Sequence, residues 1–212
     1  MKARPILFSG PMVRALLEGR KTQTRRVVKP QPQTVNGRHV QPWDGDPAVL
    51  MLLLGQSGRR CPYGKPGDLL WVRETWLHAD GSDGEPKAGR IIYRGDYVES
   101  EVPRTRWQPS IHMPRWASRL TLRITDVRVQ RLEDISEADA LAEGINRIHH
   151  GDGDHYYHAI RTEPHPKNWV DPVDAFRELW ESINGPGSWG ANSWVWVISF
   201  EVIKANTDQV GQ

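Results

Sequence analysis

The chain is poor in several things, and each lack narrows what it can be. It has one cysteine, Cys61, in 212 residues, so no internal disulfide can form, and the composition fits a reducing cytoplasm. The longest apolar run, Ala48 to Leu54, is far shorter than the roughly 20 residues a membrane helix needs. The opening Met-Lys-Ala-Arg-Pro lacks the apolar core of a secretory leader, so no leader and no membrane association are expected. The formal net charge of +2 is too small to imply nucleic-acid binding by itself, and any basic surface must be local. Hydrophobic residues make up only 38%, but 10 are tryptophans, which bury much area each.

One further lack is local. From Gly19 to Arg26 the chain carries Arg20, Lys21, Arg25 and Arg26, with the hydroxyls of Thr22 and Thr24, and no carboxylate. A solvated face usually mixes both signs, so this run reads as built to meet an anion, a polarised carbonyl or a phosphate. Pro11 suits the first turn of a helix. Met12, Val13, Leu16 and Leu17 give that helix one apolar side, and Gly19 stops it. Lys21 therefore lies in the turn leaving the helix, and Thr22 to Val28 reads as a strand ended by Pro30. Lys21 and Thr24 stand an odd number of positions apart, so they converge only if the chain bends near Lys21. The same residues equally fit a solvated turn feeding a strand, with threonine chosen for its strand propensity.

Along the chain, Pro5 to Phe8 is a short strand. Lys29 to Gly67 is Pro-, Gln- and Gly-rich and reads as a long insertion, partly ordered at most. Asp68 to Arg73 is an enclosed strand, apolar on both faces. A Gly/Asp-rich loop at Asp80 to Arg90 precedes a short strand, Ile91 to Tyr93. Arg119 to Gln130 is a long strand in which Leu120, Leu122 and Ile124 share one face and Val127 and Val129 the other, which predicts a bulge near Asp126. Ser136 caps a helix, with Asp139 at the capping-box position, Ile135 stapling onto Ala140 and Gly144 as the stop. His149 to Lys167 reads as a polar, His-rich loop. Asp171-Pro172 opens a helix whose stripe is Val173, Phe176, Leu179, Trp180 and Ile183. In Ser193 to Ile203, Trp194, Trp196, Ile198, Phe200 and Val202 alternate. The tail from Ala205 is expected to fray. These elements predict one α+β domain over 1–204, built on a small barrel with two or three helices, with insertions near 30–66, 78–110 and 147–170 and a flexible tail at 205–212.

Gly19-x-Lys21-x-x-Thr24-x-Arg26 after a helix resembles the signature of the ASCH domain family, small β-barrels related to PUA RNA-binding domains. Arg4-Pro-Ile-Leu-Phe8 through Arg25-Arg26-Val-Val28, Leu70-Trp-Val-Arg-Glu-Thr-Trp76 and Ile111-His-Met-Pro-Arg-Trp-Ala117 are similar to its phage- and prophage-encoded branch. The likeness covers somewhat more than half of the chain, in separate blocks. It implies a pocket for a modified nucleoside or RNA. In the branch that hydrolyses N4-acetylcytidine it implies a catalytic Lys, Thr and Glu, without a metal or organic cofactor. By resemblance these are Lys21, Thr24 and, just before the glycine that closes the helix, Glu143.

The chemistry suits those types. A threonine hydroxyl is a poor nucleophile until a base takes its proton, and a lysine can do so only if its pKa is lowered. Arg26 is the candidate oxyanion donor, with Arg25 beside it. Glu143, in a last helical turn, is disfavoured by the helix dipole and sits better beside a cation, although Glu18 has the same placement. A surface glutamate is the plain alternative. Arg73 and Glu74, with Trp76, and Arg115 and Trp116, with His112, are rim candidates. Glu74 suits a base edge, a sugar or an arginine partner; Arg115 beside Trp116 suits a phosphate and a stacked base, or Trp116 packs in the core. His149, His150, Asp152, Asp154, His155 and His158 have metal-binding types but no closed tetrahedral spacing, so no metal site is expected. Cys61 reads as a small buried residue. A binding module and a ribonuclease are the rival readings.

Overall fold

The computed structural model describes residues 2–32, 34–35, 38–39, 46–78, 91–97, 101–151 and 153–210. The elements in order are β1 (Ala3–Leu7), α1 (Gly10–Leu17), β2 (Gln23–Val27), a hairpin of β3 (Thr34–Val35) and β4 (Arg38–His39), α2 (Pro47–Gln56), β5 (Leu69–Arg73), β6 (Trp76–His78) and β7 (Ile91–Tyr93). Then come β8 (Thr121–Arg131), α3 (Glu137–Ala142), β9 (Asn146–His149), β10 (His155–His158), α4 (Pro172–Asn184), β11 (Trp194–Ile203) and α5 (Thr207–Val210). The fold is α+β. Its centre is a five-stranded mixed sheet, ordered β1-β5-β8-β11-β2. Strands β1 and β5 run parallel, and the other neighbours are antiparallel. No ladder joins β1 to β2 among the described residues, so the sheet is not a closed barrel by strand pairing.

The sheet buries both faces of its central strands. On β11, Trp194, Trp196, Ile198 and Phe200 enter one core with Leu122 and Ile124 of β8, Ile6 of β1 and Leu16 of α1. The intervening Val195 and Val197 enter a second core with Phe176 and Trp180 of α4 and with Ile135, Ala140 and Ile145 around α3. The alternation predicted for β11 thus covers one face, and its second face is apolar as well, as a central strand requires. The register of β8 against β11 slips between Ser199 and Phe200, leaving Thr125 as the extra residue beside Asp126, where a bulge is expected.

Three segments are more ordered than their composition suggests. Within the insertion at 30–66, the run Ala48 to Leu54 forms α2, started by Asp46, whose Oδ1 accepts from Ala48 N at 2.8 Å, with Pro47 in the first turn. Leu50 and Leu54 then bury completely in the main core. The His-rich stretch forms the hairpin β9–β10 rather than a loop. The tail is pinned: Asn206 Nδ2 donates to Ser118 O at 2.7 Å and Thr121 Oγ1 donates to Ala205 O at 2.8 Å. The loop expected at 80–90 and Asp152 lie outside the described residues. No helix is long and apolar enough to cross a membrane among the described residues.

Candidate functional site

The carboxylates missing from the Gly19–Arg26 run are supplied by α3. Gly19 turns the chain at φ 75°, and Lys21 N donates to Ala15 O at 3.0 Å, holding the turn against α1. Thr22 N then donates to Ala142 O at 2.9 Å, which fastens the run to the end of α3. Gly144 has φ 99°, and a Cβ there would lie 2.9 Å from Ala15 Cβ and 3.2 Å from Lys21 Cβ. Only glycine lets the end of α3 come this close, and that approach delivers Glu143.

Lys21 is 0% exposed. Its ammonium donates to Glu143 Oε2 at 2.7 Å, Glu143 O at 2.8 Å and Gln23 O at 2.9 Å. All three donors of the ammonium are therefore used. Burial lowers the Lys21 pKa, opposed by the Glu143 charge and hydrogen bond and assisted by Arg26 and Arg25. The glutamate that the dipole argument marked thus sits against the cation it needs. Glu18, with the same placement, pairs with Arg20 at the surface.

Arg25 is as deeply buried as Lys21 and shares its partner. Its Nη1 donates to Gln23 Oε1 at 2.6 Å and to Glu143 Oε1 at 3.2 Å, and its Nη2 to Asp139 Oδ2 at 2.7 Å. Arg128 Nη2 donates to the same Asp139 oxygen at 2.9 Å. Ser136 Oγ accepts from Asp139 N at 3.2 Å, as half of a capping box would, but the Asp139 carboxylate serves the arginines. Burial alone would raise the Asp139 pKa; the charges of Arg25 and Arg128 outweigh it and hold the carboxyl low. Neither Gln23 nor Asp139 was marked for the site by the sequence, because each reads as an ordinary strand or cap residue.

Thr24 and Arg26 lie on the opposite face of β2. Thr24 is 1% exposed, and its Oγ1 accepts from Arg26 Nη1 at 3.1 Å. Arg26 Nη2 donates to Leu7 O at 3.0 Å at the end of β1. The Phe8 ring centroid lies 5.5 Å from Lys21 Nζ and 5.3 Å from Arg26 Cζ, so both cations gather about one ring. The Lys21 ammonium spends its hydrogen bonds on Glu143 and Gln23 rather than on Thr24; the two residues are linked through Arg26 and Phe8.

No strand pairs with the outer edge of β2 among the described residues. Phe200 N donates to Thr22 O, and Val28 N to Trp194 O, so the even-numbered residues of β2 face β11. Gln23, Arg25 and Val27 turn their backbone groups outward. Two of these carbonyls are capped by side chains, Gln23 O by Lys21 and Arg25 O by Arg26. Along this edge runs a cavity of about 490 Å³, within the range of small-molecule sites. Glu143, Arg25 and Arg26 line it with Phe8 and Met12, and α4 walls it with Phe176, Leu179, Trp180 and Ile183. Lys21 and Thr24 are not on its surface; they meet it through Glu143 and Arg26. The stripe predicted for α4 is therefore only partly core: Phe176 and Trp180 are buried, while Ile183 is 57% exposed.

The other candidates lie elsewhere. Arg73 Nε donates to Met113 O at 3.0 Å, and its guanidinium stacks on Trp71. Glu74 is 1% exposed and takes Arg119 on both oxygens, at 2.8 and 3.0 Å. Arg115 pairs with Asp208 at 2.7 Å, and Trp116 packs edge-on against Trp76 while staying 47% exposed. None of these four lines the cavity, though Thr75 and Ser110 do. His149 stacks on His155 at 5.4 Å across the β9–β10 hairpin. No group of three or more His, Cys, Asp or Glu side chains is gathered to hold a metal among the described residues. Cys61 is buried.

No protein-family model, curated protein or solved structure matches the chain.

Proposed function

We propose that this chain is an ASCH-type amidohydrolase that removes the acyl group from an N4-acetylcytidine-like nucleoside. One observation carries the reading: Lys21, 0% exposed, holds Glu143 at 2.7 Å, and Glu143 lines a cavity of about 490 Å³. A buried amine with a lowered pKa is what threonine-based acyl transfer needs. Arg26, bonded to both Thr24 and the end of β1, supports a further part of the reading, that the sheet curls as a small PUA-like barrel.

In this mechanism Glu143 takes a proton from Lys21 across their contact, leaving a neutral amine with a lone pair. The amine turns to Thr24 and accepts the hydroxyl proton as Oγ1 bonds to the acyl carbonyl carbon. The oxyanion accepts hydrogen bonds from Arg26. As the C–N bond breaks, the leaving amine receives a proton from the Lys21–Glu143 pair. Water then attacks the Thr24 ester and gives a proton to the Lys21 amine, and the Lys21–Glu143 pair returns a proton to Thr24 Oγ1 as the ester C–O bond breaks and the carboxylic acid leaves. The net change is amide plus water to amine plus acid.

The saturated hydrogen bonding of Lys21 favours a second reading, in which the pair is structural and the cavity only binds a nucleoside or RNA. Incubation of the protein with N4-acetylcytidine, and with RNA in parallel, separates the two. Matched release of acetate and cytidine supports the hydrolase. Salt-dependent RNA retention without either product supports the binding module, and new RNA ends would point to a ribonuclease.

A further inference from the structure

Five of the eight histidines crowd into the β9–β10 hairpin and the loop after it: His149, His150, His155, His158 and His165. Three of them use Nδ1 as an acceptor for the backbone. His149 takes Gly151 N at 3.2 Å and His165 takes Lys167 N at 3.1 Å. His158 takes two groups, Ile160 N at 3.0 Å and Arg161 N at 2.9 Å. A ring nitrogen accepts only while it carries no proton. His149 and His165 are exposed, whereas His158 is 6% exposed. The proton of the His158 ring therefore sits on Nε2, which faces Glu178 Oε2 of α4 at 3.5 Å. The same oxygen accepts from Trp169 Nε1 at 2.8 Å. Trp169 in turn exchanges backbone hydrogen bonds with Tyr157 of β10, at 2.7 and 2.8 Å. One imidazole thus closes a ring of contacts through β10, the loop 159–169 and α4. Glu178 directly precedes Leu179 and Trp180, which wall the cavity.

We infer that His158 is an acid-sensitive latch: the neutral imidazole holds the loop 159–169 on α4, and protonation releases that loop beside the wall of the cavity. A second proton can enter the ring only at Nδ1, where two N–H donors already point, so both backbone bonds must break to admit it. The groups around the ring divide. Burial opposes protonation most, Arg161 and His165 from the loop assist it, and Glu178 from α4 favours the charged ring. The Glu178 carboxylate is 51% exposed, and an ion pair with so solvated a partner gains little. From β9 the uncharged Asn146 stands opposite as the cross-strand partner. The balance holds the His158 pKa below its ordinary 6.5. The latch is therefore at full strength above 6.5 and is lost as the pH falls towards the lowered pKa.

Amide hydrogen exchange of the full chain, read by mass spectrometry and corrected for the intrinsic effect of pH, tests the latch. Peptides covering 158–169 should lose about tenfold in protection between about pH 7.5 and about pH 5.5, the limit that one proton sets. Peptides from β8 and β11 should change by less than about twofold over the same interval. In His158→Asn the amide oxygen takes the place of Nδ1, accepts from the backbone two residues on and does not titrate, so protection of the loop should no longer depend on pH. His158→Phe, which has no acceptor, should leave the loop unprotected at both pH values. Imidazole ¹H–¹⁵N spectra of the wild-type protein should show His158 as the Nε2–H tautomer at neutral pH. Equal protection of the wild-type loop at both pH values overturns the inference, as does an Nδ1–H tautomer. A fall of the same size in folded His158→Asn, or an equal fall in the β8 and β11 peptides, overturns it as well.

Discussion

Among the described residues two buried glutamates, Glu74 and Glu143, are each held by arginine, and Glu143 lines a cavity. Glu74, 1% exposed, gives both oxygens to Arg119, whose third nitrogen reaches Asp96 at 2.6 Å. Burial raises its pKa, opposed by Arg119. Glu143, 4% exposed, divides its oxygens between Lys21 and Arg25 and keeps a face on the cavity. Burial and pairing are common to both, so neither marks a site. What separates them is the second cation, a lysine able to lose its proton, and the cavity that Glu143 lines.

Glu143→Ala should produce the largest effect. It leaves Lys21 and Arg25 buried without their shared counter-ion, and the expected loss is about 3–5 kcal/mol in urea unfolding. Glu74→Ala should cost less, about 1–2 kcal/mol, because Arg119 is partly solvated and keeps Asp96. Equal losses would erase the distinction. Next is Arg26→Met, which on the proposed chemistry lowers kcat for N4-acetylcytidine about 10²–10³-fold with the fold intact. Arg119→Lys, which replaces a two-pronged contact by a point charge, should cost about 1 kcal/mol and change turnover less than about twofold.

The smallest effect is on pH dependence, and it should have opposite signs in the two clusters. Asp139 is held below its ordinary 3.8 by Arg25 and Arg128 against the effect of burial. Its contribution to stability is full above that value and is lost as the pH falls through the lowered pKa. Glu74 is held above its ordinary 4.5 by burial. Its contribution is full below 4.5 and is lost as the pH rises through the raised pKa. Unfolding free energies across about pH 3 to 7, for Asp139→Asn and Glu74→Gln, should each remove one of these slopes. Slopes of the same sign would contradict the assignment.

Much of the frame was legible because period-two alternation and glycine stops are local signals. The β8 bulge, the cap at Ser136 and the turn at Gly19 follow from them. The hairpin β9–β10 was not, since His155-Tyr-Tyr-His158 reads as polar and gains its order from the bridge between Tyr157 and Trp169. Helix α2 carried its start signal, Asp46-Pro47, inside a Pro- and Gln-rich stretch that masked it. Within the site, Lys21, Thr24, Arg25, Arg26 and Glu143 were marked by motif and charge. The α4 wall was not, because cavity-lining and core residues share one amphipathic pattern and only packing tells them apart. Asp139 was hidden by its position in a capping box.

The central claim is that the Lys21 amine and the Thr24 hydroxyl carry acyl transfer together. Its most direct test is the rate of acetate release from N4-acetylcytidine by Lys21→Ala and Thr24→Val, each shown by circular dichroism to be folded. The account predicts release by the wild-type protein and none above background in either variant. Wild-type rates in both folded variants would contradict it.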